Sequence, residues 1–158
     1  MKINKVVDIG SGTMGSGIAA QLCNANIPVT LLDLTTQISE KARERILKSR
    51  PPLLIDKSKI NNINVGNIND NFNEVGEADW IVEAVVERID IKHNIYKKIF
   101  KERKKGSIVS SNTSSIPIKS YRPKTPVFGI PIGLPKTASA SSIVNFILKA
   151  SVMATCIA

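Results

Sequence analysis

Six residues near the start of the chain, Gly10-Ser11-Gly12-Thr13-Met14-Gly15, have the types and spacing to hold a diphosphate. Gly10 permits a tight turn, Gly12 lets the backbone approach a pyrophosphate, and Gly15 lets a following helix pack closely on the preceding strand. The amides of Thr13 and Met14, at the start of that helix, would face the phosphates with the positive end of its dipole. An acid, Asp33, lies 18 residues past Gly15. At the end of the next strand it could accept hydrogen bonds from both adenosine ribose hydroxyls while its charge repels a 2′-phosphate. Leu34 follows it, with no adjacent arginine to clamp a phosphate, so NAD is favoured over NADP.

Such a turn is informative only in context, because glycine-rich loops are common. The context here is favourable. Residues Lys5 to Ile9 read as a buried strand, Met14 to Asn26 as a helix carrying Ile18, Leu22 and Ala25, and Val29 to Leu32 as a second strand. Asn26 and Pro28 supply the helix stop. The pattern continues with a charged helix over Ser39 to Ser49, with Ala42, Ile46 and Leu47 on one face, ended by Pro51-Pro52. Within the Asn-rich stretch Asp56 to Asn73, Ile63 and Val65 mark a short third strand. Trp80 to Ala84 is the next strand and Ile89 to Lys105 an amphipathic helix bearing Ile91, Ile95, Ile99 and Phe100, stopped by Gly106. Ile108 to Ser110 then empties into Asn112-Thr113-Ser114-Ser115. Alternating strands and helices predict an α/β fold: a doubly wound parallel sheet covered on both faces.

Bulk properties exclude other classes. The net charge of +9 is unevenly placed: all 13 Asp and Glu lie at or before Glu102 with 14 of the 22 Lys and Arg, giving 14 − 13 = +1, and the rest carries +8. A near-neutral domain with a basic tail is not a phosphate-tracking groove, and no nucleic-acid partner is expected. No apolar run reaches the length of a membrane span, so no membrane is expected. Cys23 and Cys156 have no metal-ligand or redox spacing, which favours a reduced cytoplasmic setting without a metal.

Three segments together resemble the 3-hydroxyacyl-CoA dehydrogenase family. Gly10 to Ala19 is similar to its G-x-G-x-M-G-x-G-I-A signature, residues 78–88 to its acidic segment after the fourth strand, and residues 111–115 to its S-N-T-S-S turn. The resemblance implies a Rossmann-type NAD-binding domain over 1–120, leaving a divergent basic tail over 121–158. It implies that Asn112 and Ser114 lie near the nicotinamide and the substrate's 3-oxygen, and Glu87 near the cofactor or the catalytic histidine. Glu87 could instead be an acid favoured by the dipole of the following helix, and Ser114 a helix cap. The family reaction passes a hydride from an acyl-CoA substrate to NAD and needs a histidine base oriented by a glutamate.

Here the chain departs from the pattern. Its one histidine, His93, precedes the S-N-T-S-S turn within a charged helix and reads as a surface residue, and no His, Asp or Glu follows Ser115. The fold is therefore expected to be incomplete at its C-terminal end, without the helical substrate and dimerisation domain. Asn112, Ser114 and Glu87 keep assisting roles only. Turnover by this chain alone is not expected. A monomer or association with a separate chain follows, and the alternatives are a non-catalytic NAD-binding module or one half of a split dehydrogenase. Loss of resemblance and of every carboxylate in the tail suggests translation out of the ancestral frame. Asp8 is the second departure: a carboxylate in a central strand, costly unless nearby backbone amides satisfy it.

Overall fold

The computed structural model describes residues 2–113 and Ile116, together with the backbone of Phe128–Gly129. The strands are β1 (Val6–Ile9), β2 (Val29–Asp33), β3 (Ile63–Asn67), β4 (Trp80–Glu83), β5 (Ile108–Ser111) and β6 (Phe128–Gly129). They form one six-stranded sheet in the order β3-β2-β1-β4-β5-β6, parallel throughout. β1 is central, with Asp8 opposite Leu31 on one side and Val82 on the other.

Alternate strand residues feed two cores. On one face Val6, Leu31 and Val82 pack with Ala19, Leu22, Ala42 and Ile46 of helices α1 (Thr13–Asn24) and α2 (Thr36–Lys48). On the other, Val7, Ile9, Leu32 and Ile81 pack with Ile95, Tyr96 and Ile99 of α4 (Ile89–Glu102), and with Val75 of the one-turn α3 (Glu74–Glu77). Burial on both faces is what makes β1 and β4 continuous apolar runs rather than alternating ones.

The expected elements form, with local corrections. α2 starts three residues earlier than the apolar pattern suggests, because Thr35 caps it by accepting from the Ile38 amide. Its inward face is Ser39, Ala42 and Ile46, while Leu47 is exposed. Ser39 is tolerated inside because its hydroxyl donates to the Gly66 carbonyl at 2.8 Å. Helix α4 ends at Glu102 rather than Lys105, and Gly106 (φ +86°) turns the loop into β5 instead of stopping the helix. α1 closes through Asn26, whose φ of +60° is the left-handed conformation asparagine tolerates at a helix end. No helix among the described residues is long and apolar enough to cross a membrane.

Of the tail, only Phe128–Gly129 falls among the described residues; its backbone pairs with Ser110 and Ser111 as β6. The out-of-frame reading of the tail otherwise lies outside the described residues.

Candidate cofactor site

The strand order reverses at β1, so the carboxyl ends of β1, β2 and β4 open a crevice where an open α/β sheet binds its ligands. The glycine turn bridges them. The Gly10 amide donates to the Leu32 carbonyl of β2 at 2.8 Å, and the Ala84 amide donates to the Ile9 carbonyl at 2.8 Å. Gly10 has φ +110°, and a Cβ there would stand 2.5 Å from the Ala84 carbonyl oxygen. A Cβ on Gly15 would stand 1.8 Å from the Gly10 carbonyl oxygen. Both positions are closed to side chains by backbone, so turn and helix can meet only through glycine.

Gly12 differs. It is the N-cap of α1 with no side-chain cap, and a Cβ on it would meet nothing within 4 Å. Thr13 and Met14 are exposed beside it. The helix thus begins on open space with its first amides uncapped, and no acidic side chain lies in its first turn to compete for them. This is the cradle a diphosphate requires: backbone donors and no side chain in the way.

Asp33 ends β2 and faces the turn. Its Oδ2 accepts from the Ser11 amide at 2.7 Å and the Ser11 hydroxyl at 2.6 Å, while Oδ1 accepts from the Leu34 amide at 2.7 Å. A carboxylate offers about four lone-pair sites, so room remains for a ribose hydroxyl, and the Ser11 hydroxyl can rotate away. Although no arginine adjoins Asp33 in sequence, Arg45 from α2 reaches the Ser11 carbonyl at 2.8 Å. Only the fold reveals that neighbour.

A second group sits at the carboxyl ends of β4 and β5. Glu83 and Lys92 are fully buried and paired at 2.7 Å. Glu83 Oε1 also accepts from the Val85 amide at 3.0 Å, and Oε2 accepts from the Ser111 hydroxyl at 2.5 Å. The Asn112 amide donates to the Glu83 carbonyl at 2.7 Å. Glu87 is exposed, accepting from the Thr113 hydroxyl at 2.9 Å, with the Lys92 ammonium at 3.8 Å. Glu87 and Asn112 are thereby brought to one end of the sheet. Ser114 lies outside the described residues.

The sequence pattern does not single out the Glu83–Lys92 pair, because Lys92 stands there simply beside His93 in a charged, amphipathic helix. The available signal was position: Lys92 lies three residues before Ile95 and seven before Ile99, on the inward face of α4. His93, next to it, is exposed as expected.

Asp8 is fully buried, and neither carboxylate oxygen has a hydrogen-bond partner. Backbone amides do not satisfy it. Burial first, then the charges of Glu83 and Asp33, push its carboxyl well above the usual range. Burial likewise pushes the Cys23 thiol up to about 12. No group of three or more His, Cys, Asp or Glu among the described residues could hold a metal.

A parallel sheet with a glycine turn at its switch point, an uncapped helix start and a strand-end acid defines a Rossmann-type dinucleotide-binding domain. The model for the 3-hydroxyacyl-CoA dehydrogenase NAD-binding domain matches residues 5–126, and the chain belongs to that family. Its cofactor is NAD. The match runs six residues past the expected boundary at residue 120 (126 − 120 = 6).

Relatives agree. A probable 3-hydroxyacyl-CoA dehydrogenase of Deinococcus radiodurans is 42% identical over 125 residues, covering 75% of this chain and 36% of that protein. A putative fatty acid oxidation complex trifunctional enzyme of Rickettsia felis is 38% identical over 132 residues, covering 79% of this chain and 18% of that protein. The crystal structure of (S)-3-hydroxybutyryl-CoA dehydrogenase from Ralstonia eutropha superposes with a TM-score of 0.63 at 28% identity, over 74% of this chain and 43% of that one. The chain therefore spans less than half the length of each of these three.

Proposed function

We propose that this chain is the NAD-holding part of a 3-hydroxyacyl-CoA dehydrogenase of the fatty-acid oxidation type, and that its 158 residues alone do not complete the reaction. The observation that carries the first half is the open, side-chain-free start of α1 at Gly12. The amides of Thr13 and Met14 hold the diphosphate there, and Asp33 receives the adenosine ribose hydroxyls while its own charge disfavours a 2′-phosphate. Asn112 and Ser114 take the places near the nicotinamide and the substrate's 3-oxygen that the family resemblance implies, and Glu87 the place near the cofactor or the catalytic histidine.

Bound NAD would supply the hydride acceptor. The remaining requirement is a base for the 3-hydroxyl proton, normally a histidine with a pKa near the operating pH. His93 does not meet it: it is exposed on α4, and no His, Asp or Glu follows Ser115 to assemble an oriented base. The substrate class, 3-hydroxyacyl-CoA, rests on the family, and the relative described as a fatty acid oxidation complex supports the oxidative setting.

The test is NADH oxidation by the purified chain in the presence of acetoacetyl-CoA, run beside an equilibrium NADH titration. Binding without acetoacetyl-CoA-dependent oxidation is expected. Oxidation that co-purifies with the chain and persists in a His93→Ala variant would overturn the claim that no base remains.

A further inference from the structure

We propose that Glu83 is a positioning residue, fixing from beneath the two strand-end segments that carry Glu87 and Asn112 against the nicotinamide half of the cofactor. The inference rests on the NAD reading above. Glu83 is fully buried at the carboxyl end of β4, and its contacts reach three different segments: Lys92 of α4, the Val85 amide of the β4–α4 loop and the Ser111 hydroxyl of β5. Its backbone carbonyl receives the Asn112 amide. The same Lys92 ammonium stands 3.8 Å from Glu87, so the position of Glu87 is coupled through Lys92 to Glu83.

Stability alone does not account for this arrangement. Desolvating two charges offsets most of their mutual attraction, and an apolar pair of similar volume commonly serves a core as well or better. What an ion pair adds is direction. Three donors converge on one carboxylate with defined geometry, so the loop after β4 and the turn after β5 are held in one relative placement. Both leave the sheet at the crevice end, the loop after β4 one strand and the turn after β5 two strands from the glycine turn, and Ala84 of that loop packs against Gly10 and Gly15. A displaced carboxylate would leave the diphosphate cradle on α1 in place and loosen the end of the site that receives the nicotinamide.

The test compares NADH with ADP-ribose, which keeps the adenosine and both phosphates and lacks the nicotinamide, by equilibrium titration of the full chain. In Glu83→Gln the affinity for NADH should fall about tenfold relative to that for ADP-ribose, the scale of one charge-assisted hydrogen bond. A Glu83→Gln/Lys92→Met variant removes the buried ammonium along with the carboxylate it pairs with and should regain the melting temperature without regaining the NADH to ADP-ribose ratio. It also carries the test if the single variant does not fold. A double variant with the wild-type ratio, or parallel loss of both ligands in Glu83→Gln, would show a merely structural role and overturn the proposal. Wild-type chain that binds ADP-ribose but gains nothing from the nicotinamide would overturn it while leaving the cofactor cradle standing. Failure of the wild-type chain to bind either ligand would sink both.

Discussion

Replacing Asp8 by valine should stabilise this fold. The side chain lies in the central strand, flanked in register by Leu31 and Val82, with no exposure and no partner for either oxygen. A buried polar group without a hydrogen bond costs about 1 to 3 kcal/mol, and valine is close to aspartate in volume, so the gain arises without overpacking. For a domain of this size each kcal/mol moves the melting temperature by about 3 to 5 °C, so an increase of about 3 to 15 °C is expected. The pH dependence gives a sharper signature. The folded-state pKa of Asp8 is raised, chiefly by burial and then by Glu83 and Asp33. The favourable protonated state is therefore fully available below the unfolded value of about 4. Its contribution is lost as pH rises from there through the folded value. The gap between wild type and Asp8→Val should thus widen from pH 4 upward, whereas Asp8→Asn, still polar but unable to ionise, should recover the pH-dependent part and less of the rest. Thermal and urea denaturation at several pH values measure this. An unchanged melting temperature, or a gap that narrows as pH rises, would refute the reasoning.

The glycines of the turn separate stability from binding. Gly15→Ala places a Cβ against the Gly10 carbonyl and should cost about 3 kcal/mol in urea denaturation, whereas Gly12→Ala meets nothing and should leave melting unchanged while weakening NADH in a fluorescence titration. Asp33→Asn should weaken NADH and narrow the preference over NADPH, read as the ratio of their dissociation constants; an unaltered ratio would remove Asp33 from cofactor discrimination. Cys23, buried with its thiol pushed up to about 12, should resist a disulfide reagent in native Cys156→Ser chain and react on unfolding.

The parts legible in the sequence were those written in local pattern. The β1–turn–α1–β2 unit combines apolar runs, glycines at fixed offsets and an acid at the strand end, and it folds as that pattern requires. Ile63 and Val65 marked β3 inside an Asn-rich stretch as two apolar residues at the alternate spacing of a strand. The errors arose where a polar side chain is satisfied by something distant. Ser39 turns inward in place of Leu47 because the Gly66 carbonyl, 27 residues on, receives its hydroxyl. Lys92 is buried because Glu83, nine residues back, meets its ammonium, and helical spacing alone does not choose between an inward lysine with a partner and an outward one in water. Arg45 escaped notice for the same reason, being 34 residues from the Ser11 carbonyl it meets.

The central claim is that the uncapped start of α1 at Gly12 holds a dinucleotide diphosphate. Titrating the purified chain with NADH and following nicotinamide fluorescence tests it most directly. The account predicts saturable enhancement in the micromolar range that ADP-ribose displaces. A chain shown to be folded by its circular dichroism and cooperative melting, yet giving no saturable signal, would contradict it.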